Sequence, residues 1–238
     1  MSRPRPTTNS TRFTLGVVAL TWAIAYAVAL VAQSVAISVA GWAGEPSSTW
    51  PTSVTALSAV LLWIAFLVAL SVVSRRFGSG RFAEDFSLSF RLTDLVGLPI
   101  GVVTQLALVP ALYWPLRHIW PDAFDSDVLS QRAQELWDRA DGVWVVVLVA
   151  VVVIGAPLVE ETVYRGYVQQ ALHGRLDDLF AVVLSAAFFA AIHLRPVEFP
   201  GLFLFGLIVG VCYQRTGRLG LGIAVHLAFN AVGLLVVA

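Results

Sequence analysis

Of the 238 residues, 58% are hydrophobic and 13% charged, and the 15 basic and 15 acidic side chains cancel. A soluble domain is about half apolar and a quarter charged, so this composition, with a mean hydropathy of +0.81, marks an integral membrane protein. The balanced charge, without a basic or acidic block, excludes a nucleic-acid surface or a charged recruiting tail, and the single cysteine, Cys212, excludes an internal disulfide and a Cys-X-X-Cys site.

The basic, polar start MSRPRPTTNSTR reads as a cytoplasmic tail over residues 1–12, and the apolar run behind it is longer than a signal-peptide core. Runs long enough to cross a bilayer, or nearly so, extend over about Phe13 to Ala40, Thr52 to Val73, Leu95 to Leu116, Gly142 to Leu172, Leu179 to Leu194, Gly201 to Tyr213 and Leu219 to Val237. The fold expected is all-α, a polytopic transmembrane helix bundle of about seven spans, the fifth and sixth of them short. Between the third and fourth spans, Leu129, Ala133, Leu136, Trp137 and Ala140 recur at helical spacing among Asp127, Gln131, Arg132, Glu135 and Asp138. That pattern predicts an amphipathic helix on the outer surface. The chain divides into the tail 1–12, N-terminal transmembrane helices 13–120, the amphipathic segment 121–141 and a C-terminal core 142–238.

Orientation follows from arginine, the only basic residue type present. With the N-terminus cytoplasmic, Arg3, Arg5, Arg12, Arg75, Arg76, Arg81, Arg91, Arg175, Arg215 and Arg218 lie inside, and Arg117, Arg132, Arg139 and Arg195 outside. The C-terminus is then outside, in what reads as a prokaryotic plasma membrane. Trp42, Trp50, Trp114, Trp120, Trp137 and Trp144 all fall at the expected outer ends, where indoles prefer to sit.

The fourth span ends on GAPLVEETVYRGYVQQ, which places Glu160, Glu161 and Arg165 behind a wholly apolar run. A charge at mid-membrane costs about 3 kcal/mol, so such groups must pair or perform a task. Glu161 and Arg165 are one turn apart with the acid first, the favourable order for an ion pair. Glu160 projects about 100° away and is left free. Of four histidines, His118 and His173 sit at span ends and read as interface residues, whereas His193 closes SAAFFAAIH and His226 shares a helical face with Asn230 in HLAFN. At 1.5 Å rise per residue, His226, Glu160 and His193 lie roughly 10, 18 and 21 Å from the inner ends. Together with Asn230 they are expected to line one cavity open towards the cytoplasmic half.

E-E-x-x-x-R in EETVYR, F-x-x-x-H in FFAAIH (Phe189 to His193) and H-x-x-x-N in HLAFN, in that order on successive spans, resemble the CPBP family. These are the CAAX-processing and bacteriocin-processing intramembrane proteases, also called Abi proteins, among them the type II CAAX prenyl endopeptidases. The resemblance covers about Gly142 to Ala238. It implies hydrolysis of a peptide bond in a membrane-associated, prenylated or leader peptide, with Glu160 and His193 activating water and His226 and Asn230 facing the oxyanion. Glu161 and Arg165 would support them. An amide such as Asn230 is a good oxyanion donor and a rare metal ligand, which favours a site without a cofactor. The alternative is a catalytic Zn²⁺ held by His193, His226 and Glu160; without H-E-x-x-H the helix of a standard zincin is excluded. The partners expected are the lipid bilayer and a membrane-embedded peptide or protein. Two other readings stay open: a non-catalytic bacteriocin-immunity or scaffold protein of the same family, and a proton-coupled transporter with Glu160, His193 and His226 as relay, for which no internal repeat is visible.

Overall fold

The computed structural model describes residues 13–238, the side chains of Ser126 and Asp127 aside; the expected tail 1–12, with Arg3, Arg5 and Arg12, lies outside the described residues. The main elements are α1 (Leu15–Val39), α2 (Thr52–Phe77), α3 (Leu92–Ile119), α4 (Ser126–Asp138), α5 (Val143–His173), α6 (Asp178–Ala191), α7 (Phe199–Thr216) and α8 (Gly220–Leu235). The chain is a polytopic helical bundle: α1, α2, α3, α5 and α7 are long and apolar enough to cross a membrane, and α6 and α8 are shorter apolar helices. Seven apolar helices among the described residues match the expectation, but the short ones are the fifth and seventh, not the fifth and sixth. The sixth gains its length by carrying the helix past the apolar run through Gln214, Arg215 and Thr216, until Gly217 adopts a left-handed φ of 65° and its N–H bonds the Tyr213 carbonyl.

Local chemistry fixes the other ends. The Thr14 hydroxyl accepts from the Val17 N–H to start α1, and the Asp177 carboxylate accepts from the Leu179 and Phe180 N–H groups to start α6. α6 stops at Ala191 because the chain turns at His193 and Leu194, the latter at a φ of 55° that a branched side chain adopts at a cost of about 1 kcal/mol. Gly97 and Gly101, one turn apart on α3, bring that helix onto the backbone of α8. A Cβ at position 97 would stand 2.7 Å from the Leu221 carbonyl oxygen. Small residues allow this approach where lipid supplies no hydrophobic drive for helices to associate.

The two ends of the bundle differ. At one, half-buried Arg218 and buried Asp94 form a pair at 2.6 Å, the Leu219 and Gly220 N–H groups bond the Ser87 and Ser89 carbonyls, and Phe13, Phe86 and Tyr167 interlock as aromatic rings. This end is closed. At the other, α4 forms as the amphipathic pattern predicts and lies over the ends of its neighbours. Arg139 donates to the Ser47 and Trp50 carbonyls at 3.0 and 2.9 Å, Thr52 donates to the Arg139 carbonyl, and Arg132 faces Glu198 at 3.7 Å. The tryptophans expected at outer boundaries all belong to this second end.

Candidate active site

The polar residues of the core are set by departures from regular helix. α5 widens over Ala150–Gly155 and again over Thr162–Gln169, where hydrogen bonds skip to the fifth residue, and α3 widens over Thr104–Leu108. Such turns re-aim side chains and recur at functional sites. Between the two widened stretches of α5 lies the regular turn Ala156–Glu161, so Glu160 and Glu161 point in different directions as the helical repeat requires.

Glu161 and Arg165 are fully buried and joined at 3.2 Å between Oε1 and Nη1. Arg165 also donates from Nη2 to the Gly206 carbonyl at 3.2 Å and lies over the Phe189 ring, 4.6 Å from its centre. One turn on, Gln169 repeats the pattern, donating to the Gly210 carbonyl at 2.9 Å. The pair is thus held by its own helix and by the backbone of α7, while Glu161 Oε2 and Arg165 Nε have no hydrogen-bond partner among the described residues.

The pair does more than neutralise itself. Glu161 Oε1 also accepts from His226 Nδ1 at 2.8 Å, which fixes the imidazole and turns its Nε2 towards Glu160, whose Oε2 is 3.8 Å away. Phe205 packs against the His226 ring at 4.6 Å between centres. Phe189, the aromatic of F-x-x-x-H, is buried between Arg165 and both histidine rings, 4.8 Å from His193 and 6.2 Å from His226, and its carbonyl accepts from His193 Nδ1 at 2.7 Å. Asn230, one turn beyond His226, donates to the Val152 carbonyl in the first widened turn of α5 at 2.8 Å. The sequence pattern identifies these six residues; the sharing of Glu161 between Arg165 and His226 is new with the structure.

Glu160, His193, His226 and Asn230 line one cavity of about 930 Å³. Their convergence agrees with the expectation, but the direction of opening does not. The cavity runs to Trp50, Arg139, Arg195 and Val237, which belong to the end covered by α4. The arginine count would make this the outer end, so the expected opening towards the cytoplasmic half and the expected orientation do not hold together. The physical reason is that Arg218, Asp94 and the 87–89 backbone seal the other end. His193 likewise lies in the turn beyond α6, not within a span.

The same cavity receives groups that the sequence reading passed over. Gln105, from the widened turn of α3, and Arg117, near the end of that helix, both line it. Gln105 is the one amide in the third apolar run, and that isolation was the available signal. No three His, Cys, Asp or Glu side chains among the described residues converge closely enough to hold a metal ion. Glu160, His193 and His226 share the cavity without forming a three-ligand cage, and the imidazole Nδ1 atoms are already committed to Phe189 and Glu161.

Against known proteins, residues 142–232 match the model of the family described as type II CAAX prenyl endopeptidase Rce1-like. Over this segment the chain is similar to that family. No curated protein and no solved structure gives a significant match to the chain. The Rce1-like segment begins at the start of α5 and ends within α8, so all six motif residues lie inside it, while α2, α3 and α4 add cavity wall from outside it.

Proposed function

We propose that the chain is an intramembrane endopeptidase acting on a membrane-associated peptide. What supports the reading is one observation: Glu160, His193, His226 and Asn230 line a single cavity inside the Rce1-like segment, and the family it resembles is a protease family. Hydrolysis of an amide needs a base for water and donors for the developing oxyanion. Glu160 would take a proton from water as its oxygen attacks the carbonyl carbon, with His193 Nε2 holding the water. The proton then passes to the departing amine as the C–N bond breaks. His226 Nδ1 is given to Glu161, which leaves Nε2, 3.8 Å from Glu160, as the ring nitrogen that would face the reacting centre. An amide carries two N–H donors, so Asn230 keeps one for the substrate after donating to Val152.

The test is a comparison of membrane peptides between cells with the wild-type chain and cells with Glu160→Gln. A set of fragments present only with the wild type is expected, and identical peptide profiles at equal protein levels would sink the reading. Prolonged chelation of purified protein should leave cleavage intact. One zinc per chain, lost together with activity in His193→Ala and His226→Ala, would recast Glu160 as a ligand or as a base beside the metal.

A further inference from the structure

One amide of the cavity has no task in the proposed chemistry and no partner in the protein. Gln105 stands in the widened turn Thr104–Leu108 of α3 and lines the cavity together with Asn230 and Gly233. Its Oε1 is sealed from water without a donor, and among the described residues its Nε2 finds no acceptor. By contrast, Gln33, Gln169 and Asn230 each donate to a backbone carbonyl of a neighbouring helix. A desolvated amide without a partner is costly, and a widened helical turn that aims one into a cavity is a mark of function.

The level of Gln105 can be read from its neighbours, because α3 and α8 run in step. Gly97 lies against Leu221 and Ala224, Gly101 against Val225 and Ala228, and Gln105 reaches Gly233, where an added Cβ would stand 3.4 Å from Nε2. Gly233 is three residues beyond Asn230, about 4.5 Å along the helix axis towards the mouth. An extended peptide advances about 3.3 Å per residue, so with its reacting carbonyl at Asn230 the next residue or two on the mouth side pass the Gln105 amide. That amide carries one acceptor and one donating group, the complement of a backbone N–H and a backbone carbonyl.

Building on the protease reading, we propose that Gln105 binds the main chain of the peptide, its side-chain amide pairing with the backbone N–H and carbonyl of a residue on the mouth side of the reacting bond. The contact fixes the register of an extended peptide without selecting its side chains. It comes from α3, outside the Rce1-like segment, so the floor would supply the reacting groups and a helix beyond it the alignment of the substrate.

The test edits peptide and protein together. Pools of apolar hexapeptides bearing a benzophenone side chain, with each backbone amide in turn replaced by an ester, are photo-crosslinked to Glu160→Gln protein in phosphatidylcholine nanodiscs. An ester keeps the shape of the amide and lacks its N–H, so one ester position should lower capture about five-fold, the scale of one hydrogen bond. Adding Gln105→Leu or Gln105→Met should lower capture of the all-amide pool by a similar factor and abolish the penalty at that position, with the other positions unchanged. Both variants should keep or raise the melting temperature, because Gln105 has no protein partner to lose. A flat ester profile, a profile that both substitutions leave as it was, or capture of no pool would overturn the proposal. Failure of both variants to fold would overturn it equally and assign the amide to holding the bundle. The same pools offered to wild-type protein test the protease reading separately: a Gln105-dependent ester penalty without cleavage removes that reading and keeps the main-chain site, whereas cleavage with no such penalty does the reverse.

Discussion

The floor of the cavity and its mouth are built to opposite rules. On the floor, Glu161 is held by Arg165 and His226, Arg165 by Gly206 and Phe189, His193 by Phe189, and Asn230 by Val152, so most of the polar groups there are positioned by another, with Glu160 standing 3.8 Å from His226. Towards the mouth, one carboxylate serves two arginines at long range and the Gln105 amide has no partner among the described residues. A site that does chemistry gains from groups fixed before the substrate arrives. A site that selects a ligand gains from groups whose partner is the ligand. On the proposed reading a single cavity would divide these tasks along its depth, with the Rce1-like segment supplying the floor and α2, α3 and α4 much of the mouth.

The comparison breaks most sharply if the floor can lose a member and keep its fold. Arg165→Ala leaves the Glu161 carboxylate buried and facing only His226, and removing one partner of a buried pair costs about 3 to 5 kcal/mol. Expression and thermal stability in detergent should fall steeply. Glu160, with a side chain 27% exposed to the cavity, has no such structural duty, and Glu160→Gln should leave both nearly unchanged. Equal loss of folded protein in the two variants would erase the division between supporting and reacting carboxylates.

What the sequence disclosed follows the same line between floor and mouth. Seven apolar runs against a bilayer's thickness are a strong constraint, and the i to i+4 spacing of Glu161 and Arg165 needs only one helix to be read. His226 and Asn230 are legible for the same reason. The bond between Glu161 and His226 spans 65 positions and depends on how α5 meets α8, which no local spacing encodes. Widened turns in α3 and α5 carry no clear composition mark, so the reach of Gln105 into the cavity could not be computed from a 3.6-residue repeat. Direction of opening is not local either, because it depends on which end is sealed. The sealing pair joins Arg218 to Asp94, residues 124 positions apart, of which the arginine count reads only the first.

A second measurement sharpens the functional side of the floor. If Asn230 donates to the oxyanion, Asn230→Ala should lower kcat by about 10² to 10³ with KM almost unchanged, the usual signature of losing one such donor. Because its other N–H bonds Val152 in a widened turn, a small loss of stability should accompany the change, on the order of 1 kcal/mol for one hydrogen bond. A variant that raises KM with kcat intact would move Asn230 from the reacting centre to substrate binding.

The smallest effect is expected at the mouth, and it probes whether α4 is held independently of the floor. Arg139 sits just past the end of α4 and ties it to the 47–50 connection through the Ser47 and Trp50 carbonyls, while Thr52 holds the Arg139 backbone carbonyl through its hydroxyl. Arg139→Ala removes the first two bonds, together with the one from its Nε to the Glu135 carbonyl inside α4, and leaves the Thr52 bond. Hydrogen bonds from a charged donor in a partly exposed place contribute about 1 to 2 kcal/mol together, a loss that acts on docking of α4 and not on the bundle. Amide exchange over residues 128–138 should therefore speed up about ten-fold, the equivalent of 1.4 kcal/mol, with the melting temperature unchanged and exchange in α5 and α8 unaffected. If exchange in α8 rises with it, the mouth and the floor form one cooperative unit, and the division of the cavity into a fixed depth and an adaptable rim fails at its weakest joint.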